Sequence, residues 1–176
     1  MALDNRTKSL INDMVQEIIK LYSIQVPILD IDQVIKEMGG EVVENPSLDS
    51  FSDGRIRKTG SDTFRIEVSP YQTKERRNFT IAHELGHLFL HMGFCTDSEI
   101  WNMQDNISYD RKGNSELEYQ SNEFAAALLM PQDKYKQIMD KNTNGNLVNT
   151  AEIAKYFNVS VDAAANRGKW LGYLIW

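Results

Sequence analysis

Cysteine is almost missing from this chain. Cys95 stands alone in 176 residues, which excludes an internal disulfide framework and favours a reducing compartment. Long apolar runs are missing too. The longest, Phe124 to Met130, has seven residues, far short of the roughly 20 that a membrane-spanning helix needs. The opening stretch "MALDNRTKSLINDMVQEIIK" has no uninterrupted apolar core like that of a signal peptide. A basic excess is also lacking: the formal net charge is −6, so nothing draws the chain generically to nucleic acid or anionic lipid. Repeats and low-complexity tracts are absent. What is present is 41% hydrophobic residues with 10% aromatics, enough for one well-cored domain and too little for two full ones. These features read as a soluble, cytoplasmic protein.

Leu10, Ile11, Met14, Val15, Ile18, Ile19 and Tyr22 recur at helical spacing and predict an amphipathic helix over residues 5–22. "PILDIDQVIKEMGGEVVE" reads as a capped short helix, a stop at Gly39 and a strand at 41–44. "DGRIRKTGSDTFRIEVSP" is a hairpin, with two alternating runs around Thr59–Asp62 and an end at Pro70. A long helix is predicted from Thr73 to Met92, then a polar loop over 94–114. Ser115 to Met130 is a second strong helix, stopped by Pro131, which can open a further helix over 131–140. "KNTNGN" is a linker, and 150–157 and 161–171 form two short helices around "NVS". The sum is α+β, a small antiparallel sheet in the amino-terminal half with helices making the rest.

The stretch that carries chemistry is "FTIAHELGHLFLHMG", Phe79 to Gly93, which holds the chain's three histidines at spacings of four. "HELGH" fits the zinc-binding pattern H-E-x-x-H. On a helix, His83 and His87 lie about 40° apart, so both imidazoles reach one ion. Glu84 lies about 100° around from His83, placed to act as the base of a hydrolytic site. The plain alternative is a buried helix whose histidines are satisfied by backbone or water, and the His–Glu–His combination favours the metal. His91 continues the same face, but three residues of a straight helix rarely all reach one small ion. Packing in the core or behind the ligands suits it better.

A third ligand is sought among Asp97, Glu99, Asp105, Asp110, Glu116, Glu118 and Glu123. On the helical wheel of 115–130, Glu118 falls at about 100° from Leu117, inside the apolar arc marked by Leu128, Ala125 and Leu129. Glu116 and Glu123 fall on the outer face. A carboxylate aimed at a core needs a partner, and a metal ion is one. Asn122, one turn on from Glu118, is placed to hydrogen-bond a ligand histidine from behind. "SELE", Ser115–Glu118, is also a capping box in which the same glutamate would bind a free backbone N–H. With the histidine pair present, the ligand role is preferred.

Together "RRNFTIAHELGHLFLH" and "LEYQSNEFAAALLMP" resemble the ImmA/IrrE metallopeptidases. These carry an HExxH helix followed by an E-x-x-A-N-x-F-A-A-x-L-L-M-P helix. The resemblance is dense over residues 76–91 and 117–131 and fainter over the short helix and hairpin. One departure is Ser121, where the family often has alanine. The resemblance implies a zincin-like metallopeptidase core with one Zn2+ per chain held by His83, His87 and Glu118, and Glu84 as the base. It also implies a protein substrate, a helix-turn-helix transcriptional repressor. No such repressor domain precedes the first helix, so the substrate is expected to be encoded elsewhere. No direct nucleic-acid or membrane partner is expected.

The tail "TAEIAKYFNVSVDAAANRGKWLGYL" has a helix–turn–helix rhythm, yet its second helix offers a DNA duplex only Asn166, Arg167 and Lys169. A helical module packed on the core through Tyr156, Phe157, Val159, Trp170 and Leu171 is the better reading. The expected division is a metallopeptidase domain over 1–141 and a carboxy-terminal module over 146–176. Function then lies between a zinc endopeptidase and a regulatory binding module with a structural metal. For the endopeptidase, the edge of the predicted strand Phe64–Val68 is a candidate place for an extended substrate. Tyr71, Tyr109 and His91 are candidates for stabilising the oxyanion.

Overall fold

A computed structural model describes residues 3–48, 53–104, 108–109 and 115–175. The first helix, α1 (Asn5–Leu21), starts where the Asp4 carboxylate accepts the Thr7 N–H, and it buries Ile11, Val15 and Ile18 along one stripe. Helix α2 (Ile31–Glu37) is capped in the same way by Asp30. It ends at Gly39, whose φ of +87° is one that a side chain would strain. Strands β1 (Gly40–Glu44), β2 (Gly54–Lys58) and β3 (Phe64–Val68) follow. The chain continues through α3 (Lys74–Leu90), α4 (Ser98–Asn102), β4 (Ser108–Tyr109), α5 (Ser115–Leu129) and α6 (Gln132–Lys141). A two-stranded ribbon, β5 (Thr143–Asn144) and β6 (Leu147–Val148), leads to α7 (Thr150–Phe157) and α8 (Val161–Trp170).

The hairpin forms as predicted, with Ile56 opposite Ile66. The sheet as a whole is not antiparallel. Its order is β1-β3-β2-β4, and β1 runs parallel to β3, with Val42 opposite Ile66. The strand that buries most takes the centre. Phe64, Ile66 and Val68 are all within 1% of full burial, whereas no residue of β1 is buried. This also overturns the docking edge placed at Phe64–Val68, because both edges of β3 are already paired.

Helix α3 starts at Thr73, whose hydroxyl accepts the Arg76 N–H, and it stops two residues short of the predicted Met92. It is buried on nearly every side from Thr80 to Phe89 because it lies between the sheet and α5. The α3–α5 pair is the most extensive contact in the molecule. The two helices come close at Gly86. A Cβ there would lie 2.8 Å from the Cα of Ser121 and 3.1 Å from its carbonyl oxygen. The stretch read as a loop over 94–114 contains α4, capped by Asp97, and β4, which pairs with β2. Trp101 of α4 is buried against Phe94, and its indole N–H donates to the Ser61 carbonyl. Ile107, and the rest of that stretch over 105–106 and 110–114, lie outside the described residues.

The carboxy-terminal helices meet the rest through two buried polar anchors. The Tyr135 hydroxyl of α6 donates to the Ala164 carbonyl of α8 at 2.7 Å. Arg167 of α8 is 2% exposed and donates to the Met130 carbonyl, to Glu123 of α5 at 2.9 Å and to Asn12 of α1 at 2.8 Å. Its guanidinium is therefore committed inside the molecule and does not face a DNA duplex. No helix among the described residues is long and apolar enough to cross a membrane.

Candidate metal centre

Two adjacent turns of α3 and the first turn of α5 build the site. His83 and His87 are buried, at 2% and 3% exposure, and their Nε2 atoms stand 3.1 Å apart. The Glu118 carboxylate enters from α5, with Oε2 at 3.3 Å from His83 Nε2 and Oε1 at 3.3 Å from His87 Nε2. Candidate ligand atoms of the three residues all lie within 4.8 Å of one another, and they form the one such group among the described residues.

The groups behind the histidines assign their protons. Asn122 Oδ1 lies 2.9 Å from His83 Nδ1. An amide oxygen accepts only, so Nδ1 carries hydrogen and Nε2 presents a lone pair. On the other side Gln120 Oε1 lies 3.0 Å from His91 Nε2, and His91 Nδ1 lies 3.0 Å from His87 Nδ1. Burial pushes the His91 imidazole down to about 4, against the pull of Gln120, so its ring is neutral at physiological pH. A neutral His91 that donates from Nε2 to Gln120 must accept at Nδ1. His87 then carries its hydrogen on Nδ1 and turns a second lone pair inward.

Two lone pairs and a carboxylate thus converge on one spot, an arrangement that repels itself without a cation. The spacing suits zinc. Ligands about 2.0–2.1 Å from a tetrahedral ion stand roughly 3.3 Å from one another; here the two Nε2 atoms are 3.1 Å apart and each lies 3.3 Å from a different oxygen of Glu118. Two imidazoles and one carboxylate make a three-ligand donor set that zinc accepts. The residues fit the ion.

Glu84 is 1% exposed and lies under the amino-terminal end of β2. Strand and helix approach closely there because residue 54 is glycine. A Cβ on Gly54 would come 2.5 Å from Thr80 Cγ2 and 2.8 Å from Glu84 Oε1. The carboxylate is therefore held between the strand and its own helix.

With this geometry in view, known proteins supply the frame. Residues 36–169 match the family model of the IrrE N-terminal-like domain, Peptidase_M78. The chain belongs to this family. No curated protein matches it. Among solved structures, a Mycobacterium tuberculosis transcriptional regulator is similar at 15% identity and a TM-score of 0.57. The match covers 89% of this chain and 45% of that one, so this chain spans less than half of the regulator's length, and the likeness is one of fold.

Within this M78 domain the structure separates the acidic candidates. Asp97 spends its carboxylate on the N–H groups of Glu99 and Ile100, and Glu99 and Glu116 are exposed. Glu123 pairs with Arg167. Asp105 and Asp110 lie outside the described residues. Glu118 contacts both histidines. Tyr71 is 80% exposed, and the Tyr109 side chain lies outside the described residues. Gln120 was missed, since nothing in sequence ties a glutamine of α5 to His91. Gly54 and Gly86 were missed as well, although a glycine inside "HELGH" does signal close backbone approach.

Proposed function

We propose that this M78 domain is a zinc-dependent endopeptidase with a zincin-like core, acting in the cytoplasm on a partner protein. The partner is proposed to be a helix-turn-helix transcriptional repressor. The convergence of His83 Nε2, His87 Nε2 and the Glu118 carboxylate on one point, with buried Glu84 next in sequence to His83, carries this reading. Family membership supports a metallopeptidase-type activity, and the fold likeness to a transcriptional regulator supports a regulatory setting.

His83, His87 and Glu118 would hold the zinc ion. When bound, zinc supplies Lewis-acid polarisation of a carbonyl and lowers the pKa of a water to about 7. Glu84 takes the proton of the attacking water and delivers it to the nitrogen of the departing amine. Asn122 fixes the His83 ring, and the His91–Gln120 pair fixes the His87 ring, so neither imidazole rotates away. Burial of α3 keeps bulk water from competing for these groups.

The test uses Glu84→Gln, which keeps the shape of the side chain and spares all three ligands. A partner captured from cells on the zinc-loaded variant is incubated with variant and parent in turn, and fragments are read by mass spectrometry. The parent should cut it at one site, and Glu84→Gln should be slower by at least on the order of 10²-fold. A captured partner left intact by the parent would replace proteolysis with a binding role.

A further inference from the structure

Two different contacts hold the two halves of the candidate site. The ligand set depends on how α3 lies against α5, with Gly86 at Ser121. Glu84 depends on a second contact, with the amino-terminal end of β2. A Cβ on Gly54 would come 2.8 Å from Glu84 Oε1 and 3.2 Å from Glu84 Cγ, so the strand backbone itself walls the side chain on that side. Gly54 stands at the end of the β2–β3 ladder, opposite Val68. Element ends open more readily than their centres, and an end that lifts takes the wall off Glu84.

Asp53, the residue before Gly54, fastens this end. Its backbone carbonyl accepts the Ser69 N–H at 3.1 Å and a Gln72 Nε2–H at 2.9 Å. Its carboxylate oxygen Oδ2 accepts Arg76 Nε–H at 2.9 Å and Arg76 Nη2–H as well. Arg76 lies in the first turn of α3, about two turns before Glu84 on the same helix. The strand end is therefore tied directly to the helix that carries Glu84, with no other strand in between. The Asp53 side chain is 13% exposed, so salt screens this pair less than a pair on the open surface.

We propose that Asp53 is a positioning residue for the base: its ion pair with Arg76 clamps Gly54 against Glu84 and keeps that side chain in one rotamer. Asp53 acts through Glu84 and touches no reacting atom. The proposal rests on the peptidase reading above for what Glu84 does, and on the strand contact alone for how Glu84 is held.

Three measurements on the full zinc-loaded chain test it. In the first, Asp53→Ala and Arg76→Gln, which break the same pair from either side, are assayed on the captured partner. In both, kcat should fall by about 10- to 100-fold, the scale of a small misplacement. KM and zinc affinity should stay parental, because the ligands are held by the other contact. Arg76→Lys keeps the charge without the fork and should fall between parent and Arg76→Gln. If Asp53→Ala lowers the melting temperature sharply, half-exposed Arg76 supplies the variant that folds.

In the second, Asp53→Ala is added to Glu84→Gln. It should slow the residual cleavage no further, since a clamp without the base has nothing to position. In the third, protein labelled with 13C-glutamate is read by NMR at one pH. The Glu84 carboxyl signal, identified by its loss in Glu84→Gln, should be single in the parent and shifted or split in Asp53→Ala. Parental kcat in both single variants, equal slowing in the Glu84→Gln background, or a Glu84 signal unmoved by Asp53→Ala would overturn the proposal. The two readings fail separately. A partner left intact by the parent, with the Glu84 signal displaced in Asp53→Ala, removes the peptidase and leaves the clamp. Cleavage at the parental kcat in both variants removes the clamp and leaves the peptidase.

Discussion

Replacing Gly86 by alanine adds one carbon where α3 lies close against the backbone of α5. That Cβ would lie 2.8 Å from the Cα of Ser121, a backbone atom that cannot swing aside, whereas ordinary contact begins at 3.4 Å. Helix α5 must therefore retreat by about 0.6 Å, three times the roughly 0.2 Å by which metal–ligand distances can deviate. Glu118 rides on α5 and the two histidines on α3, so the retreat acts directly on the candidate ligand set. Overpacking costs about 1–3 kcal/mol, and the better helix propensity of alanine returns about 1 kcal/mol, so the metal-free protein loses only about 0–2 kcal/mol. Zinc affinity should fall further, by about 10- to 100-fold, the scale seen when ligand support is disturbed. Competition against a chromophoric chelator measures the affinity, and melting with and without zinc separates the two effects. Parental zinc affinity in Gly86→Ala would refute the claim that this crossing sets the site.

Other expectations concern the carboxy-terminal anchors. Arg167→Ala leaves Glu123 without its cation and should cost about 3–5 kcal/mol in urea unfolding. A loss under about 1 kcal/mol would mean that α8 is held by apolar contact alone. Burial pushes the Tyr135 phenol up to about 12, above its ordinary value of 10.0. A folded pKa above the unfolded one means that stability is whole below pH 10 and is lost as pH rises through 12. Tyr135→Phe should cost about 1 kcal/mol at neutral pH, through the lost bond to Ala164, and should melt with a weaker alkaline dependence. Tyr22, also raised to about 12, keeps part of that dependence in the variant.

Local signals were the legible ones. The capped start of the short helix α2, the hairpin centred on 59–62 and the proline stop at 131 are short-range chemistry, and the elements lie within a residue or two of expectation. The inward direction of Glu118 was readable because a helical wheel fixes it, and the same wheel placed Asn122 behind a histidine. Long-range pairing was not readable. Nothing near β1 announces a parallel partner more than twenty residues away, and the closed edges of β3 follow only from that pairing. Helix α4 is five residues long, too short for its period to show. Arg167 looked like a surface cation because its partners, Asn12, Glu123 and Met130, are scattered through the chain.

The central claim is a divalent metal held by His83, His87 and Glu118, and zinc stoichiometry tests it most directly. Elemental analysis of protein purified without chelator, beside Glu118→Ala prepared in the same way, should give one zinc ion per parent chain and a strongly reduced content in the variant. A parent that binds no zinc at neutral pH even when zinc is supplied, or a Glu118→Ala chain that binds it as tightly as the parent, would contradict the account.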